Sequence, residues 1–251
     1  MIPYLILLFV TVGLAHVGRR YRDLVIERFT LVVVVGVLVF FAGARDLSVG
    51  TDTWSYVGWL DAITSLESIF KLPVEPGFSA LVLISGLVSD GYFFYLTAIA
   101  LVTVFFWIAT IYRLVPRYEI AIFVFITLGF YTFAFNGARQ GVAIAICFSA
   151  FPYLLERKFI RYVAIIAVAT LFHKTALIAI PIYFLAIPQA GWRQFWIVIS
   201  AGLIMSVILP QFSDLAASFI DKKYAKYGVE EAGGGEITLA FCFPRVGFYH
   251  F

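Results

Sequence analysis

Long apolar runs alternate with short polar clusters along this chain, and the runs have the length of membrane-crossing helices. They occupy residues 2–17, 29–44, 92–112, 120–135, 138–155 and 194–209, with a longer one over 162–187 that His173-Lys174 divides. Crossing the hydrocarbon core takes about 20 predominantly apolar residues, so the 162–187 run is too long for one span. It predicts either two short tilted helices or one re-entrant hairpin. Counting it as two spans, the pattern predicts an all-α polytopic transmembrane bundle of about eight spans.

Two segments break that pattern. Over 51–71, Trp54, Val57, Leu60, Ile63, Leu66 and Ile69 recur every third residue, with Asp61, Ser65 and Ser68 between them. This predicts an amphipathic helix lying on the membrane surface, with Thr51 or Asp52 as its N-cap. After Glu75-Pro76-Gly77, residues 78–89 are apolar but too few to cross, which predicts a re-entrant or interfacial segment.

Basic residues set the orientation. With 78–89 not crossing, the loops carrying Arg19, Arg20, Arg22, Arg28, Arg113, Arg117, Arg157, Lys158, Arg161 and Arg193 all fall on one side, which the positive-inside bias makes cytoplasmic. Up to Pro210 the other side holds Arg45, Lys71, Arg139 and Lys174. The first run lacks a basic segment ahead of it and is followed at once by arginines, so it reads as a retained span with its N-terminus outside rather than a cleaved signal. The chain reads as a membrane domain over 1–210 and a polar outer loop with a broken tail over 211–251.

Composition agrees: of 251 residues, 63% are hydrophobic and 13% charged, too little polar surface to cover a soluble globule. The net charge of +3 forms no nucleic-acid stripe, and two cysteines give neither a disulfide framework nor a Cys/His metal pattern. No internal repeat or inverted pair of interrupted segments points to a secondary transporter.

The polar clusters carry the functional signal, because ionisable groups beside a bilayer are costly. Arg45 with Val49-Gly50-Thr51-Asp52-Thr53 and Tyr56, then Glu75-Pro76-Gly77-Phe78, then Phe135-Asn136-Gly137-Ala138-Arg139-Gln140, then Leu171-Phe172-His173-Lys174, follow one another between apolar runs. In that order they resemble the EpsG family of polysaccharide-biosynthesis membrane proteins, itself similar to the Wzy-type polymerases. The resemblance implies polymerisation of lipid-linked oligosaccharide repeats on the outer face of the bacterial plasma membrane, without a cofactor or metal. It also implies a polyprenyl-diphosphate-linked substrate, membrane lipid around the bundle, and flippase and chain-length regulator proteins as partners. Family members carry further spans, so the chain reads as C-terminally truncated. A flippase for lipid-linked glycans and a non-catalytic member of an export complex are the alternatives.

Glycosyl transfer from a polyprenyl diphosphate needs cationic donors for the leaving group and a base for the attacking hydroxyl. Arg139, in the first turn of a helix that Asn136 can cap, is the expected diphosphate ligand, with Asn136, Arg45, Lys174 and Gln140 beside it in the diphosphate-binding set. Asp52, Glu75 and His173 are the catalytic candidates, and Trp54, Tyr56 and Trp59 offer sugar-stacking faces. Each has a plainer reading: Arg139 as a snorkelling anchor, Asp52 as an N-cap, Glu75 as loop chemistry, His173 as a polar tether, the aromatics as belt residues. Asp46 is expected to pair with Arg45.

Overall fold

The computed structural model describes residues 2–21, 23–70, 74–186, 191–200 and 202–204. The chain divides into Met1–Ala186, which carries every element below, and Ile187–Phe251. In the second unit, residues 192–200 and 202–204 are helical; the rest of the expected 194–209 span and the whole 211–251 segment lie outside the described residues.

Two antiparallel helices open the fold. Helix α1 (Ile2–Tyr21) packs along α2 (Leu24–Gly43), whose N-terminus is capped by Asp23, its carboxylate accepting from Val25 N at 2.8 Å and Ile26 N at 3.1 Å. A short α3 (Thr53–Ala62), a 3-10 turn (Ser68–Phe70) and α4 (Pro76–Val88) lead to the central helix α5 (Tyr92–Leu114). Helices α6 (Tyr118–Thr127) and α7 (Phe130–Asn136) together cover the length of one span, as do α8 (Ala138–Ser149) and α9 (Phe151–Leu155). The last elements are α10 (Phe159–Thr170), a 3-10 turn (Lys174–Ile178) and α11 (Ala179–Leu185).

All described elements are helical, and five stretches are long and apolar enough to cross a membrane: Ile2–Tyr21, Leu24–Gly43, Tyr92–Leu114, Tyr118–Asn136 and Ala138–Leu155. Helix α5 lies between α2 and α8, while α1 closes on α6 and α10 on α8. The bundle buries Val34, Leu38, Val104, Ile122 and Phe125 on one side of α5 and Phe78, Val82, Leu96, Ile99 and Val142 on the other.

Two expectations change, and of the two alternatives for 162–187 one is found. The 51–71 helix ends at Ala62. A three-residue spacing drifts by about 60° per step around a helix of 3.6 residues per turn, so six such residues wind round it and make no single apolar face. The 120–135 span is broken where Gly129 takes φ +82°, a left-handed conformation that lets α7 leave the line of α6. The 162–187 run folds as a hairpin. Tyr162 Oη donates to Ala179 O at 2.6 Å, and Arg157 Nη1 donates to Tyr183 O at 2.9 Å and Ala186 O at 2.6 Å, so the end of α11 returns to the start of α10. With 12 residues, α10 rises about 18 Å, well short of a bilayer core of about 30 Å.

Candidate functional site

The α7–α8 turn is held by a loop far away in sequence. Thr51 donates its backbone N–H to Asn136 Oδ1 at 2.9 Å, and Tyr56 Oη donates to Asn136 O at 2.7 Å while accepting from Ala138 N at 3.1 Å. The Gly50-Thr51-Asp52-Thr53 segment and Tyr56 therefore clamp the Asn136-Gly137 turn. This corrects the expected capping: Asn136 ends α7, Gly137 holds the N-cap position of α8 without a side-chain bond, and the Tyr56 phenol takes the first helical N–H instead. Tyr56 is 6% exposed, so it is a structural clamp and presents no face to a sugar, whereas Trp54 is 66% exposed. Trp59 packs on Tyr56 and Phe78.

The Glu75 segment meets the tip of the α10–α11 hairpin. Gly77 N donates to Leu171 O at 2.8 Å, and a Cβ at Gly77 would stand 2.8 Å from that carbonyl oxygen, so a side chain there would push the two segments apart. This contact sets Glu75 beside His173. Glu75 Oε1 lies 3.0 Å from His173 Nδ1 and accepts from Lys174 N at 3.4 Å. Its other oxygen, Oε2, accepts from Arg139 Nη1 at 2.7 Å. The guanidinium also lies over the Trp59 ring, 5.3 Å from its centroid.

Glu75 is buried, with 6% side-chain exposure, yet charged. Burial alone would raise its pKa; the hydrogen bond from His173, its own backbone N–H and the charge of Arg139 outweigh that and hold it at about 2. A carboxylate so engaged is a weak base. It is instead a fixed anion that aims a cation and an imidazole. The pairing leaves Nε2 of His173 and the Nε and Nη2 groups of Arg139 without a hydrogen bond among the described residues, and none of them is a buried orphan.

Arg45 stands apart from this group. It is 7% exposed, donates Nη1 to Ala42 O at 2.7 Å at the end of α2, and sits 4.6 Å over the Phe135 ring; burial lowers its pKa. Asp46 does not pair with it. The Asp46 carboxylate closes its own turn on Ser48 N at 2.9 Å, which is the shorter reach from its backbone. Asp52 is exposed at the start of α3, makes no capping bond, and lies beside the Tyr56 phenol. Gln140 and Lys174 are exposed. Among the described residues no three His, Cys, Asp or Glu side chains converge as a metal site would need.

Sequence reasoning named Glu75, Arg139 and His173 separately but missed that one carboxylate joins the other two, and missed Tyr56 as the clamp. The signal for the first was an acid placed among cations at segment boundaries. For the second there was none beyond a tyrosine three residues into a helix.

A comparison with family models matches residues 28–251 to the EpsG family. No curated protein matches the chain, and no solved structure does.

Proposed function

The chain belongs to the EpsG family and is a membrane protein of polysaccharide biosynthesis; from that premise we propose that it polymerises lipid-linked oligosaccharide repeats at the outer face of the bacterial plasma membrane. The observation that carries the reading is the Arg139–Glu75–His173 cluster, built from three distant segments, with hydrogen-bonding capacity left open on both the cation and the imidazole.

In this reading the unengaged N–H groups of Arg139 bind the diphosphate of a polyprenyl-diphosphate-linked donor, and the exposed Lys174 and Gln140, which follow His173 and Arg139 in the chain, add donors to it. Glu75 holds His173 through Nδ1, fixing the tautomer that presents Nε2 as an acceptor, much as a triad carboxylate orients its imidazole. Nε2 takes the proton of the acceptor sugar hydroxyl as its oxygen bonds to the anomeric carbon. The bond from that carbon to the phosphate oxygen breaks, and the electron pair leaves on the diphosphate, where Arg139 stabilises it. The base is thus assigned to His173, with Glu75 as its positioning residue. Asp52 borders the cluster through Tyr56, and Arg45 steadies Phe135, next to the Asn136 turn.

The orientation proposed is N-terminus outside, with the hairpin re-entrant from the cytoplasmic side. It is supported by Arg19, Arg113, Arg157, Lys158 and Arg161 gathering at the bundle end opposite Arg139, where Arg19 pairs with Glu119 and Arg113 with Glu156. The test is polymer synthesis from lipid-linked repeat units by the purified protein in vesicles. A ladder of products that His173→Gln abolishes is expected; a ladder unaffected by both His173→Gln and Arg139→Lys would remove the assignment.

A further inference from the structure

Cations crowd the unfavourable end of helix α10. Lys158 holds its N-cap position and Arg161 is its third residue, and no acidic side chain stands in its first turn. A helix N-terminus carries a partial positive charge and unpaired N–H groups, so it favours anions, while cations suit the other end. Arg113, in the last turn of α5, is brought to the same place. Its guanidinium carbon lies 5.1 Å from the centroid of the Tyr153 ring, and that of Arg161 lies 6.0 Å from the same centroid.

The backbone fixes this arrangement. Helix α9 ends with Arg157 at φ +56°, a left-handed conformation that ordinarily calls for glycine, and there Arg157 N donates to Leu154 O at 3.2 Å and Lys158 N to Tyr153 O at 2.9 Å. The turn sets Lys158 Nζ 2.7 Å from Glu156 Oε2, while Glu156 Oε1 accepts from Arg113 Nη2 at 3.2 Å. Arg157 is spent on the hairpin, holding the Tyr183 and Ala186 carbonyls. One carboxylate thus serves Arg113 and Lys158 together, and Arg161 has no acidic partner among the described residues. The positive-inside bias accounts for basic residues in such a loop, but not for two guanidinium groups gathered on one ring at a helix N-terminus.

The surroundings indicate the partner. Two candidate spans end at Leu114 and Leu155, and the Arg113–Glu156 bond joins those ends, so the cluster lies where hydrocarbon gives way to headgroups. Leu155 and Ile160, which flank the turn, are 60% and 82% exposed. Excess positive charge beside exposed apolar side chains at that level is complementary to an amphiphile with an anionic head. We propose that Arg113, Lys158 and Arg161, gathered around Tyr153, bind the phosphodiester headgroup of an anionic phospholipid whose acyl chains run along Leu155 and Ile160. This lipid site is independent of the chemistry at Arg139, Glu75 and His173.

The test titrates the full chain in detergent with phosphatidylglycerol and with phosphatidylcholine, counting bound lipid by native mass spectrometry. Phosphatidylglycerol is expected to bind about tenfold more tightly, and the double variant Arg113→Gln, Arg161→Gln to lose that preference. Arg20→Gln, which removes an exposed cation at the end of α1, is expected to retain it. Equal binding of the two lipids by the wild-type protein overturns the proposal, and an acidic protein segment then becomes the better occupant of the patch. A double variant that keeps the preference, or an Arg20→Gln variant that loses it equally, also overturns the site, since selectivity then follows net charge alone. A measurement on the wild-type protein stands apart from any folding defect of the variants. Phosphatidylglycerol carrying a photoreactive headgroup is expected to label the 151–161 segment above all others, and labelling spread evenly around the bundle overturns the site.

Discussion

Two arginine–carboxylate pairs, Arg139–Glu75 and Arg19–Glu119, both close at 2.7 Å with carboxylates 6% and 8% exposed, and they stand at opposite ends of the bundle. In the first pair each carboxylate oxygen has a partner, one of them a histidine, while the cation and the imidazole keep accessible hydrogen-bonding groups. In the second, Arg19 Nε and Glu119 Oε2 are buried without partners among the described residues, and the pair ties α1 to α6. A buried ion pair by itself is therefore weak evidence of chemistry. What separates the two is a third group and hydrogen-bonding capacity left unspent on the cation and the imidazole.

The sharpest break of that comparison is charge-conserving. Arg139→Lys should lower polymer synthesis by about a hundredfold or more, since an ammonium cannot hold Glu75 and a diphosphate in one plane. Arg19→Lys should leave synthesis near wild type. Initial rates with lipid-linked repeat units, normalised to folded protein, measure both; equal losses would reduce Arg139 to an anchor like Arg19.

Next in size is His173→Gln, which keeps a hydrogen-bonding side chain beside Glu75 but removes the base. A loss of about a hundredfold in kcat, with KM little changed, is expected. The pattern matters because a tether would move stability instead.

Glu75→Gln tests the shared anion. It leaves Arg139 half-buried with its partner neutralised, at a cost of about 3 kcal/mol in stability, whereas Glu119→Gln costs less because Arg19 is 36% exposed and can reach water. The pH dependence has a definite sign. A carboxylate held at about 2 against the usual 4.5 contributes stability that is complete above 4.5 and is lost as pH falls toward 2. Unfolding temperature in detergent should stay flat down to about pH 5 and then fall, with that fall blunted in Glu75→Gln. A fall centred near neutral pH would contradict the assignment.

The sequence made the spans legible because burial in lipid demands a long apolar run and the basic loops mark their ends. It also named Glu75, Arg139 and His173, each conspicuous as a charge where charge is costly. What joins them was not legible. The Glu75–Arg139 and Glu75–His173 contacts cross 64 and 98 residues of sequence, and no local pattern states a tertiary pairing. The break at Gly129 was hidden because a lone glycine in an apolar run also fits an unbroken span, and the three-residue spacing of 54–69 imitated amphipathicity while winding around the helix.

Tyr56 sharpens the comparison at a smaller scale, since it supports the cluster without belonging to it. Tyr56→Phe keeps the ring but removes the donor to Asn136 O and the acceptor for Ala138 N, leaving both backbone groups poorly satisfied. A loss of about 1–3 kcal/mol is expected, with a modest fall in activity through the position of Arg139. Hydrogen exchange at Ala138 should quicken.

The smallest effect is expected at Asp52, which sequence alone ranked with Glu75 as a carboxylate candidate. It is exposed, makes no capping bond, and reaches the cluster only by lying beside the Tyr56 phenol. A carboxylate must approach the acceptor hydroxyl directly to act as its base, and here it is His173, not Asp52, that shares Glu75 with Arg139. Asp52→Asn preserves shape and removes charge, so stability should change by no more than about 0.5 kcal/mol and the polymerisation rate by about twofold at most. Losing activity as severely as His173→Gln would move the base to Asp52, and would mean that the loop holding it closes further over Arg139 when substrate binds.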